Sequence, residues 1–290
     1  MQVLHRIYGL GILLGLLETV SDSETDLKLQ SDGAILIEQS TGSVLYEHNS
    51  HEKFRPASVT KVMSLLLIME AIDGGELKLT DKVTCSDNAS KMGGSQIWLE
   101  PGETLTVDEM LKAICLNSAN DCVVAMAEHL AGSEEEFVTR MNNKAKSLGM
   151  YDTTFKNCHG LDEDGHLTTS YDIALMSREL LEKHPDITKY TSLYMNTLRD
   201  GKTQLVNTNK LVRNFNGTTG LKTGSTSLAL FNLSASATRD GLSLIAVIMH
   251  SPSGDIRFQE AQKLLNFGFS NFTNVSFGDK DDVVRYSCCE

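Results

Sequence analysis

Ser58-Val59-Thr60-Lys61-Val62-Met63-Ser64-Leu65-Leu66-Leu67-Ile68-Met69-Glu70-Ala71 reads as one helix. Its Val59, Val62, Met63, Leu65, Leu66, Leu67, Ile68 and Met69 wrap most of the way round it. A helix that is apolar on nearly every side belongs in the centre of a domain, not on its surface. Everything else in the chain can be arranged around it. Upstream, Ala34-Ile35-Leu36-Ile37 reads as a strand, Ser40-Thr41-Gly42 as a turn and Ser43-Val44-Leu45-Tyr46 as the return strand. Downstream, from about residue 80 to 195, the pattern is helical. Thr106 is an N-cap with Glu109 at the capping-box position. Further helices are predicted from Val123 to Leu130, from Glu134 to Leu148 before Gly149, and from Thr169-Ser170 onward. Strands return after Gly220: Leu228 to Ala237, a tight turn at Arg239-Asp240-Gly241, then Leu242 to His250. A last helix is predicted over about Asp255 to Phe267.

Strand-like segments therefore lie at both ends and helices in the middle. The economical fold is an α/β architecture of the segregated, α+β type. An antiparallel sheet draws on both ends of the chain, the first and last helices cover it, and an all-helical lobe is inserted. Clefts form preferentially between two such lobes.

Composition narrows the function. The 290 residues are 41% hydrophobic, enough for a large core, and the net charge of -12 argues against a nucleic-acid partner. His5 and Arg6 precede an apolar run from Ile7 to Leu17 that Glu18 ends. The run is shorter than the roughly 20 residues that span a bilayer, and it fits the core of an export signal. Residues 1–25 are thus assigned to a signal peptide, cleaved near Thr19-Val20-Ser21 or Ser21-Asp22-Ser23, and the product to the cell envelope. Residues 26–268 form the expected catalytic domain. Residues 269–290 form a short tail with strand-like pieces at Asn274–Phe277 and Val283-Val284. The cysteines (Cys85, Cys115, Cys122, Cys158, Cys288 and Cys289) contain no Cys-x-x-Cys pair, so a zinc cage is not expected. Cys115 and Cys122, seven apart, are expected on one helix face as small core residues.

Three short motifs carry chemistry: Ser58-Val59-Thr60-Lys61, Ser118-Ala119-Asn120 and Lys222-Thr223-Gly224. Residues three apart share a helix face, so Lys61 can reach the Ser58 hydroxyl. Desolvation in the apolar helix lowers the lysine pKa and makes a neutral amine available as base. Ser58 in the first turn points its N–H toward a developing oxyanion. Ser118 can pass a proton to a leaving amine. Asn120 offers an acceptor and two donors to a substrate amide. Lys222 and the Thr223 hydroxyl can bind a carboxylate, Gly224 lets a substrate backbone approach, and Ser225 N–H is a second oxyanion donor. Singly, each motif has an ordinary reading: an N-cap beside a surface lysine, an interhelical turn, a Lys-Thr-Gly turn. Their order, spacing and settings agree with one serine acyl-transfer site.

With these residues in place, the chain resembles the penicillin-binding-protein and serine β-lactamase superfamily. It is most similar to the low-molecular-mass D-alanyl-D-alanine carboxypeptidases. Further segments carry the likeness: Arg55-Pro56-Ala57, Gly94-Ser95, Gly102-Glu103, Phe137-Val138 with Met141-Asn142, and Ala145 through Met150. Asn157-Cys158-His159-Gly160-Leu161 with His166 and Thr168, and Gly217 through Lys222, complete it. The resemblance implies that Ser58 is acylated, Lys61 is the base and Ser118 with Asn120 forms the lobe side. It implies that Lys222, Thr223 and Gly224 bind the terminal carboxylate of a peptidoglycan stem peptide, with Ser58 and Ser225 N–H groups as the oxyanion hole. β-Lactams are implied as covalent inhibitors, and no metal or organic cofactor is needed. His159 and His166 are read as structural. Two departures stand out: Ser225, where relatives carry an aromatic residue or histidine, and Leu230, where they often carry Gly. Two other readings share the motifs. One is a serine β-lactamase, although no Glu-x-x-Leu-Asn sequence supplies a deacylating Glu. The other is a catalytically silent wall-binding homologue.

Overall fold

A computed structural model describes residues 2–5 and 27–275. The apolar run assigned to an export signal, Ile7–Leu17, lies outside the described residues, as do Cys288 and Cys289. The five-stranded core sheet is built from β1 (Gly33–Glu38), β2 (Val44–His48), β3 (Thr218–Thr226), β4 (Leu230–Arg239) and β5 (Leu242–Ser251), in the order β2-β1-β5-β4-β3, every pair antiparallel. β1 from the start of the chain pairs with β5 from its end, with Ile37 opposite Ile245 and Leu36 opposite Ala246. Gln2–His5 pairs in parallel with Phe272–Val275.

β1 is apolar at consecutive positions because both faces of the sheet are covered. Ala34 and Leu36 pack with Leu244, Ala246 and Ile248 against Phe258, Leu264 and Leu265 of α6 (Gly254–Asn271). Ile35 and Ile37, pointing the other way, join Ile245 and Val247 in the larger core that runs into the helical lobe. Each fully buried Val, Leu, Ile or Phe side chain among these contributes about 1.5–3 kcal/mol.

The second face departs from expectation. The helix lying on it is α5 (Ser170–Lys183), not the first helix. Helix α1 (Lys61–Asp73) packs on α5 from behind and meets the sheet chiefly through the turn before it, Ala57–Thr60, which sits on β3. On its far side α1 touches α3 (Asn120–Ala131) and α4 (Glu134–Ser147). That is why it is apolar all round: it is the strut between the sheet layer and the lobe.

The lobe begins at α2 (Val107–Leu116), where Thr106 and Glu109 complete the expected capping box. Ser133 caps α4 and Thr169 caps α5 by accepting backbone N–H bonds. Between α2 and α3 the chain breaks at Ser118, which adopts φ +59. Cys115 and Cys122 therefore lie on two helices rather than on one face of a single helix. Both are buried free thiols, as are Cys85 and Cys158.

Candidate active site

The Ser58–Lys61 motif begins in a tight turn, not in the α-helix itself. Ala57–Thr60 forms a single 3-10 turn, with Ala57 at φ +48, and Lys61 opens α1. Two glycines clasp this turn. A Cβ on Gly224 would lie 2.8 Å from Ser58 N, 2.9 Å from Pro56 O and 2.9 Å from Val59 N. A Cβ on Gly160 would lie 1.9 Å from Ala57 O. Only bare backbone fits on either side, so β3 and the 157–161 loop fix where Ser58 stands.

Lys61 is fully buried, and its Nζ has three oxygen neighbours: Ser58 Oγ at 3.1 Å, Asn120 Oδ1 at 2.6 Å and the His159 carbonyl at 2.7 Å. Asn120 Nδ2 donates to the Gly93 carbonyl at 2.7 Å, which turns Oδ1 toward the lysine. The amide and carbonyl oxygens can only accept. A neutral amine has two N–H bonds and one lone pair. In that form it can satisfy both acceptors and still have a lone pair free to accept the Ser58 hydroxyl proton. Burial, then the charge of Lys222, holds the Lys61 pKa well below its usual value, which favours the neutral form.

Lys222 is a second buried lysine, and among the described residues its Nζ donates only to the Thr223 carbonyl, at 3.1 Å. Burial, then the nearby Arg257 charge, pulls its pKa down to about 7. An ammonium so poorly satisfied is a strong seat for an anion. Ser118 Oγ, on its left-handed residue, is buried without any hydrogen-bond partner among the described residues. An unsatisfied hydroxyl costs about 1–3 kcal/mol, and backbone strain adds to that. Both costs fall on one residue of the cleft.

The structure thus joins Ser58, Lys61 and Asn120 by direct bonds, and places Gly224 against the Ser58 backbone with Lys222 close enough to act on Lys61. Thr223 is turned to Thr208, hydroxyl to hydroxyl at 2.7 Å. Ser225 lies exposed, and Leu230 adopts φ +52, a left-handed conformation that favours glycine.

The family profile described as D-alanyl-D-alanine carboxypeptidase matches residues 19–253. The chain belongs to this family. As a member it is a D-alanyl-D-alanine carboxypeptidase, a serine-type hydrolase with the fold of the penicillin-binding proteins. It is 50% identical to D-alanyl-D-alanine carboxypeptidase DacF of Bacillus subtilis over 263 residues, which cover 90% of this chain and 67% of that one. Penicillin-binding protein 6B of Escherichia coli superposes with a TM-score of 0.82 at 34% identity, over 89% of this chain and 83% of the other. Penicillin-binding protein D2 of Listeria monocytogenes, in its ampicillin-bound form, gives 0.77 at 31% identity, over 84% and 99%.

Four contributors to the carboxypeptidase site were not assigned these roles from sequence. The His159 carbonyl holds Lys61, and Gly160 walls the serine turn. Asn232 donates from Nδ2 to the Arg55 carbonyl at 2.8 Å. Arg257 donates from one Nη to both the Gly224 and Asn232 carbonyls, each at 3.0 Å. His159 and His166 carry structural bonds. The Lys156 N–H donates to His166 Nδ1 at 3.1 Å, so Nε2 carries the proton toward Thr60 Oγ1, 2.8 Å away. Burial lowers the two pKa values to about 3 for His159 and about 4 for His166, leaving both rings neutral near pH 7. Among the described residues, no group of three or more His, Cys, Asp or Glu could hold a metal ion. No described helix is long and apolar enough to cross a membrane.

Proposed function

We propose that Ser58 is the acylated nucleophile and Lys61 its base, acting on the D-Ala-D-Ala end of a peptidoglycan stem pentapeptide. Lys222, with the Thr223 hydroxyl, holds the terminal carboxylate, and Gly224 lets the peptide lie along β3. The Ser58 Oγ–H proton passes to Lys61 Nζ as Oγ attacks the penultimate carbonyl carbon. Ser58 and Ser225 N–H groups stabilise the oxyanion. The C–N bond then breaks, and Ser118 relays a proton from Lys61 to the departing amine, releasing D-Ala. Asn120 orients Lys61 and steers the substrate amide with its remaining N–H. Water then attacks the acyl-serine, returning its proton through Lys61. A β-lactam ring amide takes the same path to a stable acyl-serine.

The observation that carries this reading is the set of three contacts at Lys61 Nζ, which leaves a buried amine one lone pair, aimed at Ser58. The catalytic domain is assigned to residues 26–268, with residues 1–25 as an export signal that delivers it to the cell envelope. Incubation with fluorescent penicillin tests the assignment. Wild type should label covalently and release D-Ala from a D-Ala-D-Ala peptide, and Ser58→Ala should do neither while keeping its melting temperature. Labelling that survives Ser58→Ala would move the nucleophile elsewhere.

A further inference from the structure

Trp98 is the one tryptophan in the chain. It is 74% exposed and held at φ +60, while Ile97 and Leu99 on either side are buried. A bulky residue in the left-handed region is disfavoured, and so large an apolar ring left in water is unusual. Neither cost is accidental, because the strap is tied from both sides. The buried Asp121 carboxylate accepts from Ile97 N at 3.2 Å and Leu99 N at 3.0 Å. Arg199 donates to the Ile97 carbonyl at 2.8 Å and the Trp98 carbonyl at 3.3 Å, while its guanidinium also grips Glu103. Among the described residues the indole makes no hydrogen bond or ring contact.

The same strap is bonded to the cleft. Asn120 donates from its backbone N to Ser95 O and from Nδ2 to Gly93 O, both at 2.7 Å, and Asn117 Nδ2 donates to Gln96 O at 3.0 Å. The residue that positions Lys61 therefore also holds the strap that carries Trp98, three residues beyond Ser95. Ser95 is exposed and Gln96 half-buried, both uncharged hydrogen-bonding side chains. A flat aromatic face on a strap that also offers Ser95, Gln96, the exposed Glu100 and the Arg199–Glu103 pair as hydrogen-bonding groups matches a pyranose ring, with an apolar C–H face and a polar edge of hydroxyl and acetamido groups.

We propose that Trp98 is a saccharide platform, stacking an amino-sugar ring of the glycan strand whose stem peptide reaches Ser58. This rests on the stem-peptide reading above. The site would let the enzyme prefer peptides still attached to wall polymer over free ones.

The single tryptophan supplies its own probe. A peptide-free N-acetylglucosamine oligomer, titrated into the full chain, should quench or blue-shift the indole emission saturably. Trp98→Ala should lose roughly tenfold in kcat/KM on polymeric peptidoglycan, through KM. It should leave penicillin acylation and D-Ala release from a soluble acylated tripeptide unchanged. Trp98→Phe should restore most of the loss. An unaltered rate on polymer, an equal loss on polymer and tripeptide, or silent emission with the oligomer would each overturn the platform. A change in sedimentation mass on Trp98→Ala would overturn it too, by giving the face to a second copy of the chain. Were wild type inactive on both substrates, the stem-peptide reading would fall, and the oligomer titration would still decide the saccharide site.

Discussion

Asn232, buried on β4, donates from Nδ2 to the carbonyl of Arg55 at 2.8 Å, three residues ahead of Ser58. Its Oδ1 accepts from His250 N, also at 2.8 Å, where β5 bulges and His250 takes φ +56. Its own carbonyl shares an Arg257 Nη with Gly224. One side chain thus ties the segment entering the serine turn to the strand pair that presents Lys222. Cutting that tie would free the serine turn to shift against β3 and β4.

Replacing Asn232 with Leu keeps its size and removes both bonds. The stranded Arg55 carbonyl and His250 N–H should cost about 2–3 kcal/mol of stability. The second-order rate of acylation by a β-lactam should fall by roughly tenfold or more, as expected when an oxyanion donor is displaced. Asn232→Asp keeps the acceptor for His250 N but sets a buried carboxylate against the Arg55 carbonyl, so it should slow acylation with at least as large a loss of melting temperature. Melting curves beside stopped-flow acylation separate the two effects. A lower melting temperature with an unchanged acylation rate would confine Asn232 to a structural role.

Asn120→Asp tests the protonation state of Lys61. The present amide oxygen lies 2.6 Å from Nζ and carries no net charge. A carboxylate there would favour the ammonium and raise the Lys61 pKa. A base must be neutral to act, so activity appears as pH rises through that pKa. The acid limb of the kcat profile should move to higher pH, with a loss on the order of a hundredfold at pH 7 that alkaline buffer partly restores. A loss that is the same at every pH would mean that the amide serves only to bind substrate.

The sequence made these local devices readable because each is written within a few residues. Ser58 and Lys61 are one helical step apart, Thr106 and Glu109 form a capping box, and Arg239-Asp240-Gly241 marks a tight turn. What it did not convey was which surfaces meet. The all-round apolar pattern of α1 says that it is buried, not that α5 comes between it and the sheet. Seven-residue spacing puts Cys115 and Cys122 on one face only if the helix continues, and the left-handed Ser118 ends it. Asn232, Arg257 and Gly160 act on backbone brought in from far along the chain, so no short window could mark them. Leu230 was legible as an oddity of residue type; its φ of +52 gives the reason.

Lys222 sets a pH dependence of opposite sign for binding and for stability. Its pKa in the fold is about 7, against 10.5 for an ordinary lysine, because it is buried. Above about pH 7 the free enzyme loses the charge proposed to receive the substrate carboxylate, so kcat/KM should decline on the alkaline side. Between about pH 7 and 10.5 the unfolded chain binds more protons than the folded one at this residue, so its contribution to stability rises with pH across that window. Lys222→Met should remove that slope and raise stability below pH 7 by roughly a few kcal/mol, while KM for a D-Ala-D-Ala peptide increases steeply. Urea unfolding at pH 6 and pH 9 reads the slope directly. An unchanged difference between the two pH values in the variant would show that Lys222 is not the titrating group.

The two glycines around the serine turn should fail in different ways. On Gly224 the added methyl would meet only backbone: Ser58 N at 2.8 Å, Pro56 O at 2.9 Å and Val59 N at 2.9 Å. None of these can rotate away, so β3 and the turn must separate by a few tenths of an ångström or more. Gly224 itself needs no left-handed backbone, so the fold should survive Gly224→Ala with a loss of about 1–3 kcal/mol. The N–H groups proposed as oxyanion donors would then be misplaced, and acylation by penicillin should fall by roughly a hundredfold. Gly160 combines φ +94 with a Cβ position 1.9 Å from the Ala57 carbonyl oxygen. Gly160→Ala carries strain and overlap together, and its loop also holds Lys61 through the His159 carbonyl. It should be the less stable of the two variants, and its remaining folded fraction should label with fluorescent penicillin no faster than Gly224→Ala. Wild-type labelling by a fully folded Gly224→Ala protein would show that Ser58 is positioned independently of β3.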